Sequence, residues 1–227
     1  MIGGLQKVTL LDFPGKVACT VFLTGCNLRC PYCHNPELVF PQNNGKTVSE
    51  NELFEFLASR RGKLDGVCIT GGEPTIHPEL PALIRRIRDK GFRIKLDSNG
   101  TVPEMLELLL REKLLDYAAM DIKNAPSRYA ETCGADVIEQ VKKSAALLKN
   151  SNIDYEFRTT VCHPFHSPEC MEEIGRWLQS AKRYYIQPFV DSGNLLGSGI
   201  SAMTKSELEA LLKAVKPYIP AAELRGV

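Results

Sequence analysis

The sequence predicts an α/β fold, a partial barrel of six strand–loop–helix units, from three observations. Apolar, β-branched runs of strand length alternate along the chain with amphipathic helical patterns. The links between them are short, which implies parallel strands joined by right-handed crossovers that curl the sheet. A polar cluster stands at the carboxyl end of each run, where α/β sheets and barrels gather their sites. Six units fall short of eight-stranded closure and leave a side open. An open doubly wound sheet is the competing architecture, because periodicity does not report closure. The 227 residues suit a single domain spanning 1–227.

After an amino-terminal approach segment, the first strand covers 17–24 and ends at Gly25-Cys26. Ser49 with Glu52 forms a capping-box pattern for a helix over 49–60, whose buried face is Leu53, Phe54, Phe56 and Leu57. The second strand, 66–70, leads to Gly71-Gly72-Glu73-Pro74, and a helix of Leu80, Leu83, Ile84 and Ile87 returns the chain. The third, 92–96, leads to Asp97-Ser98-Asn99-Gly100 and a Leu-rich helix after Pro103, proline being tolerated in a first helical turn. The fourth, 117–120, leads to Asp121-Ile122-Lys123 and a helix over 137–149. The fifth, 153–161, precedes a helix over 168–180 that holds the one tryptophan, Trp177. The sixth is 182–189, and Thr204 with Glu207 opens the last helix with a second capping-box pattern.

The chemistry concentrates in 25–36, where Cys26, Cys30 and Cys33 are spaced by three and then two residues. Three thiolates on one loop can hold three irons of a cubane 4Fe–4S cluster and leave the fourth iron open to a ligand. Pro31 and Pro36 stiffen the loop, and Asn27 and Asn35 tolerate its turns. A disulfide scaffold fits poorly, since three clustered cysteines leave an odd thiol. A structural zinc site with His34 as fourth ligand is the other rival, but zinc usually draws two separated ligand pairs and no second CxxC pair exists.

The loop, with Tyr32 before its last cysteine, resembles that of the radical S-adenosylmethionine (SAM) superfamily. More narrowly, Gly4-Leu5-Gln6-Lys7, Asp12-Phe13-Pro14-Gly15-Lys16 and Cys33-His34-Asn35-Pro36-Glu37-Leu38 are similar to the activating proteins of glycyl radical enzymes, especially those of anaerobic ribonucleoside-triphosphate reductase. The resemblance covers nearly the whole chain. It implies a radical SAM barrel, a cluster on Cys26, Cys30 and Cys33, and adenine contacts from Tyr32, Cys33 and His34. Gly71 and Gly72 let a backbone approach a ligand closely; alone such a pair could be only a turn, and the resemblance implies that the segment with Glu73 binds the amino group of SAM. Asp97, Ser98 and Asn99 match the family's Asp-Thr-Asn-Gly segment with the hydroxyl retained, implying ribose and cofactor contacts. Asp121 and Lys123 match its Asp-Ile-Lys, implying a lysine facing the cofactor carboxylate and an aspartate that helps hold a monovalent cation. Gln187 stands where pyruvate formate-lyase activases have a histidine, so that contact is replaced or absent. No inserted ferredoxin-like cysteines follow the loop, so one cluster is expected.

Elsewhere, Cys19 and Cys68 read as small core residues and Cys133 carries no signal. The loop 162–170 mixes Cys162, His163, His166 and Cys170, more often structural than metal-binding in such a setting. With 28 basic and 27 acidic residues the net charge is +1, so no nucleic-acid partner is indicated. No apolar run reaches membrane-spanning length and no leader pattern opens the chain, so a cytoplasmic protein is expected. The resulting expectation is an enzyme that cleaves SAM reductively and places a radical on a glycine of a partner glycyl radical enzyme, with flavodoxin or ferredoxin as electron donor. The rivals are a radical SAM enzyme acting on a small molecule such as a deazapurine precursor, and a redox-sensing module that uses the cluster alone.

Overall fold

The computed structural model describes residues 2–40, 47–191 and 193–227. Eight strands form one sheet in sequence order: β1 (Ile2–Thr9), β2 (Ala18–Leu23), β3 (Gly66–Gly71), β4 (Arg93–Ser98), β5 (Tyr117–Asp121), β6 (Asp154–Val161), β7 (Tyr184–Pro188) and β8 (Ala222–Leu224). All neighbouring pairs from β2 to β8 are parallel, and β1 pairs antiparallel with β2. Every crossover therefore adds its strand on the same side. A doubly wound sheet would reverse at a switch point, so the winding is that of a partial barrel.

The six strands expected from the sequence are β2 to β7, and the two edges β1 and β8 are additions to that reading. β1 begins Ile-Gly-Gly-Leu and leaves Gln6, Lys7 and Val8 exposed, so it carries no apolar alternation. β8 has only 3 residues. The helices are α1 (Pro36–Val39), α2 (Glu50–Ser59), α3 (Leu80–Arg88), α4 (Pro103–Arg111), α5 (Tyr129–Cys133), α6 (Ile138–Lys149), α7 (Pro168–Trp177) and α8 (Lys205–Val215). The capping boxes of α2 and α8 are both complete. α7 stops at Trp177, short of the expected 180, and Ser180 takes a left-handed conformation just beyond it.

Alternation along the strands sorts the sheet into two faces. Val21, Val67, Ile69, Ile94, Leu96, Met120, Phe157 and Ile186 join the core with Leu53, Ile84, Leu106 and Ile174 of the helices. The opposite, inner face carries Thr20, Cys68, Lys95, Asp97, Glu156 and Arg158, and most of these groups bond to one another or to inner-face neighbours. At its amino-terminal end Phe13 packs against Tyr117, with ring centroids 6.1 Å apart, and Asp12 accepts from the Thr20 hydroxyl at 2.5 Å. Gly66 is required there, since a Cβ would lie 2.8 Å from the Phe13 ring and 2.9 Å from the Arg93 carbonyl oxygen. The Asp12-Phe13-Pro14-Gly15 segment is thus a plug beneath the inner face.

Beside the plug, the buried Glu156 carboxylate accepts from Arg225 at 2.7 and 3.0 Å and from the Tyr117 hydroxyl at 2.7 Å. Burial alone would raise the Glu156 carboxyl, but these donors outweigh it and hold the group below its ordinary 4.5. Its contribution is therefore present above the unfolded value and lost as pH falls through the folded one. Glu156→Gln is expected to be about 1–3 kcal/mol less stable than wild type at neutral pH. That deficit should shrink in urea titrations carried below about pH 4. An equal deficit at both pH values contradicts the assignment.

Candidate functional site at the carboxyl ends of the strands

The cysteine loop leaves β2 through Gly25, whose φ of +89° suits glycine. Three neighbours clamp it by backbone hydrogen bonds: Gly25 N–H donates to Leu38 at 2.6 Å, Arg29 N–H to Cys133 at 2.9 Å, and Gly197 N–H to the Pro31 carbonyl at 2.9 Å. Cys133, silent in the sequence, therefore sits at the end of α5 as part of the loop's support. The Cys26, Cys30 and Cys33 side chains line one cavity with Gly71, Gly72, Glu73, Asp97, Ser98, Asn99, Asp121 and Lys123. Burial pushes the Cys30 thiol up to about 12 and raises Cys26 as well, so a metal must displace protons to bind. Among the described residues no three His, Cys, Asp or Glu groups stand close enough to share one metal ion. A zinc site with His34 is not assembled, and the His34 ring stacks on Phe189 at 5.2 Å. Three thiols around one cavity, without a shared single-ion position, fit a cubane that spreads its ligands over three irons.

The glycines of Gly71-Gly72-Glu73-Pro74 serve a contact that the sequence did not indicate. A Cβ on Gly71 would lie 2.2 Å from the Leu23 carbonyl oxygen, and one on Gly72 would lie 1.9 Å from that of Gly25. The close approach is to the backbone of the cysteine loop, sealed by Gly72 N–H to Leu23 and Glu73 N–H to Gly25, both 2.8 Å. Glu73 is 1% exposed. Its Oε1 accepts from Thr75 N–H at 3.0 Å, the Thr75 hydroxyl at 2.5 Å and the Ser98 hydroxyl at 2.8 Å, and its Oε2 from Asn99 N–H at 2.5 Å. Burial raises the Glu73 carboxyl, and these donors oppose the rise. Glu73 thus fastens the end of β3 to the end of β4, and its second oxygen keeps capacity for a further donor.

On the next strands the charges form a chain. Arg158 donates to Asp97 Oδ2 at 3.0 Å and to Asp121 Oδ1 from Nε at 2.9 Å and from a terminal nitrogen at 2.8 Å. Lys123 Nζ reaches Asp121 Oδ2 at 3.1 Å, and the buried Lys95 pairs with Asp97 Oδ1. Although burial opposes each charge, the partners hold the Asp121 carboxyl well below the usual range and Lys123 and Arg158 above theirs. In the sequence Arg158 and Thr160 stand in the strand-end segment Arg158-Thr159-Thr160-Val161, whose individual signal is low, and Lys95 lies within a strand; what joins the charges is the alternation Lys95/Asp97 and Glu156/Arg158 on one strand face. Cys68 is not an inert core residue, since its thiol points to Asp97 Oδ1 at 3.7 Å. Gln187 pairs with Thr160 in the sheet register but is not among the residues lining the cavity.

The loop 162–170 braces this site. His166 is buried and neutral: burial lowers its pKa, Nδ1 accepts from Cys162 N–H at 3.2 Å and Nε2 donates to the Lys123 carbonyl at 2.9 Å. The Tyr32 hydroxyl donates to the same carbonyl at 3.2 Å, while its buried ring packs on Phe165 with centroids 5.9 Å apart. Tyr32 lines the cavity, yet its ring is committed to this brace. His163 pairs with Glu207 at 3.0 Å and the Cys170 sulfur accepts from Arg128 at 3.8 Å, so the four soft groups do not converge.

A barrel-wound parallel sheet with a cysteine loop and polar strand ends opening into one cavity defines an α/β cofactor-binding protein. The chain belongs to the Radical SAM superfamily, whose family model matches residues 20–178, and membership implies a 4Fe–4S cluster and SAM. It is 33% identical over 237 residues to a Methanocaldococcus jannaschii protein provisionally named a glycyl-radical enzyme activating enzyme, covering 100% of this chain and 96% of that one. It is 30% identical over 187 residues to a 7-carboxy-7-deazaguanine synthase of Hyperthermus butylicus, covering 78% of this chain and 70% of the relative. Its fold matches Streptococcus suis SuiB bound to S-adenosylmethionine with a TM-score of 0.68 at 14% identity, over 91% of this chain and 52% of that one. The chain thus spans about half of SuiB. Among the described residues no helix is long and apolar enough to cross a membrane.

The splice between β3 and the cysteine loop makes a direct prediction. Gly72→Ala is expected to destabilise the protein by about 2–4 kcal/mol, because the clash is with backbone. Gly4→Ala, whose Cβ would meet Phe22 at an ordinary 3.6 Å, is the control and should stay within about 0.5 kcal/mol. Urea midpoints of the two variants compare them, and equal midpoints contradict the splice.

Proposed function

We propose that this protein is a radical SAM activase that generates a glycyl radical on a partner enzyme, an anaerobic ribonucleotide reductase or a related glycyl radical enzyme. The observation that carries the proposal is similarity over 96% of a relative bearing that provisional name, together with a cavity that gathers all three loop cysteines and four strand ends. Bound there, the cluster and SAM would supply the one-electron reductive chemistry by which a hydrogen atom is taken from the target glycine. Cys26, Cys30 and Cys33 would hold the cluster. Glu73 would offer its remaining acceptor capacity to an ammonium, and Lys123, the charge at the cavity end of the Asp121 pair, would meet a ligand carboxylate. Asp97, Ser98 and Asn99 line the same cavity and would offer polar partners to ribose hydroxyls. Leu28, Val39 and Tyr32 form an apolar wall that limits water around a reactive species. Electrons would come from a reduced flavodoxin or ferredoxin in the cytoplasm.

A second reading, radical SAM chemistry on a purine-like metabolite, is favoured by the Hyperthermus relative. One experiment separates the two. The reduced protein, SAM and a candidate glycyl radical enzyme, mixed anaerobically, are expected to give the EPR doublet of a glycyl radical, with 5′-deoxyadenosine formed in proportion. Cys30→Ala should abolish both signals. EPR-silent partners, with SAM cleavage stimulated instead by a deazapurine precursor, would replace the activase reading with the second.

A further inference from the structure

We propose that the Arg158 guanidinium takes the place of a monovalent cation between Asp97 and Asp121, so that this protein holds its ligand at the strand ends without an alkali metal ion. A cation site needs carboxylate or carbonyl oxygens with lone pairs to spare and a local surplus of negative charge. Neither is present. Asp121 Oδ1 is taken by two Arg158 nitrogens at 2.9 and 2.8 Å, and Oδ2 by Lys123 at 3.1 Å. Asp97 Oδ2 is taken by the third Arg158 nitrogen at 3.0 Å, and Oδ1 by Lys95 and the Cys68 thiol. All three guanidinium nitrogens are spent on these two carboxylates, a planar fork that a spherical ion would otherwise have to replace.

The charge sum points the same way. Two carboxylates face three basic side chains, Lys95, Arg158 and Lys123, and the Arg158 side chain is only 16% exposed. The other acidic groups nearby have their own partners: Glu156 has Arg225 and Tyr117, Asp12 has the Thr20 hydroxyl, and Glu73 has the neutral donors of Thr75, Ser98 and Asn99. Between Asp97 and Asp121 a further cation would meet the Arg158 guanidinium and a surplus of one positive charge within this chain of five groups, whereas the carboxylate of an amino-acid ligand would be drawn toward Lys123. The sequence resemblance implied a monovalent cation at Asp121; these contacts disagree with it.

The test compares potassium, sodium and tetramethylammonium chloride at matched ionic strength, using wild type, Arg158→Met and Arg158→Lys. The ligand arm, SAM affinity of the cluster-loaded protein, rests on the SAM reading above; the thermal arm, the Tm of the full chain with no SAM added, does not. For wild type neither quantity should respond to the choice of cation, with affinity unchanged within about twofold. Arg158→Met should lose about tenfold or more in affinity in tetramethylammonium and regain part of it in sodium or potassium. Its Tm should rise on the same change of salt, because the two bared carboxylates then recruit an ion. Arg158→Lys, which keeps the charge but loses the fork, should respond in the same direction and more weakly. Wild-type affinity or Tm that improves with alkali ions overturns the proposal whether or not the variants fold. Folded Arg158→Met that behaves alike in all three salts overturns it as well.

Discussion

The Gly72 and Glu73 amides donate to the Leu23 and Gly25 carbonyls, and through those two bonds the end of β3 is spliced to the start of the cysteine loop. The splice requires both glycines, since any side chain at 71 or 72 would collide with loop backbone. Once it is made, Glu73 is carried into the interior with nowhere to find water, and its carboxylate must be satisfied by Thr75, Ser98 and Asn99. Three consecutive strand ends are then fixed relative to one another by backbone and buried hydrogen bonds rather than by mobile surface side chains. The thiols of Cys26, Cys30 and Cys33 inherit that rigidity, which suits a site that must hold a reactive species in one orientation.

The inner face of the sheet is layered. A plug of Phe13 and the Glu156–Arg225 pair closes its amino-terminal end, the Lys95–Asp97–Arg158–Asp121–Lys123 chain crosses its middle, and the cavity opens above. Such a face is costly unless its charges are matched, and here each carboxylate oxygen of Asp97 and Asp121 meets a donor. A buried network of this kind holds its members in one arrangement and leaves Lys123 as its terminus toward the cavity, steadied behind by Tyr32 and His166 on its carbonyl.

Much of this was legible in the sequence because it is written locally. The six parallel strands, the capping boxes at Ser49 and Thr204, and the gathering of the polar clusters at strand ends follow from periodicity and turn chemistry alone. What escaped depends on contacts between distant residues. The two glycines announced a close approach but not to what, and their partner proved to be the cysteine loop rather than only a ligand. β1 and β8 were invisible because one is glycine-rich and half exposed and the other only 3 residues long. The loop 162–170 read as more often structural than metal-binding, but nothing local said what it supports, and His166 spends both nitrogens on backbone groups, one of them the Lys123 carbonyl. Arg158 and Lys95 acquire a role only where the neighbouring strands bring Asp97 and Asp121 to them.

The claim on which the rest depends is that one loop of three thiols holds a single cluster with one iron left open toward the strand ends. Mössbauer spectra of protein reconstituted anaerobically with iron-57 test it directly. About four irons per chain are expected, one of which changes its signal when SAM is added while the others do not. About eight irons, or a cluster whose irons are all indifferent to SAM, would contradict it.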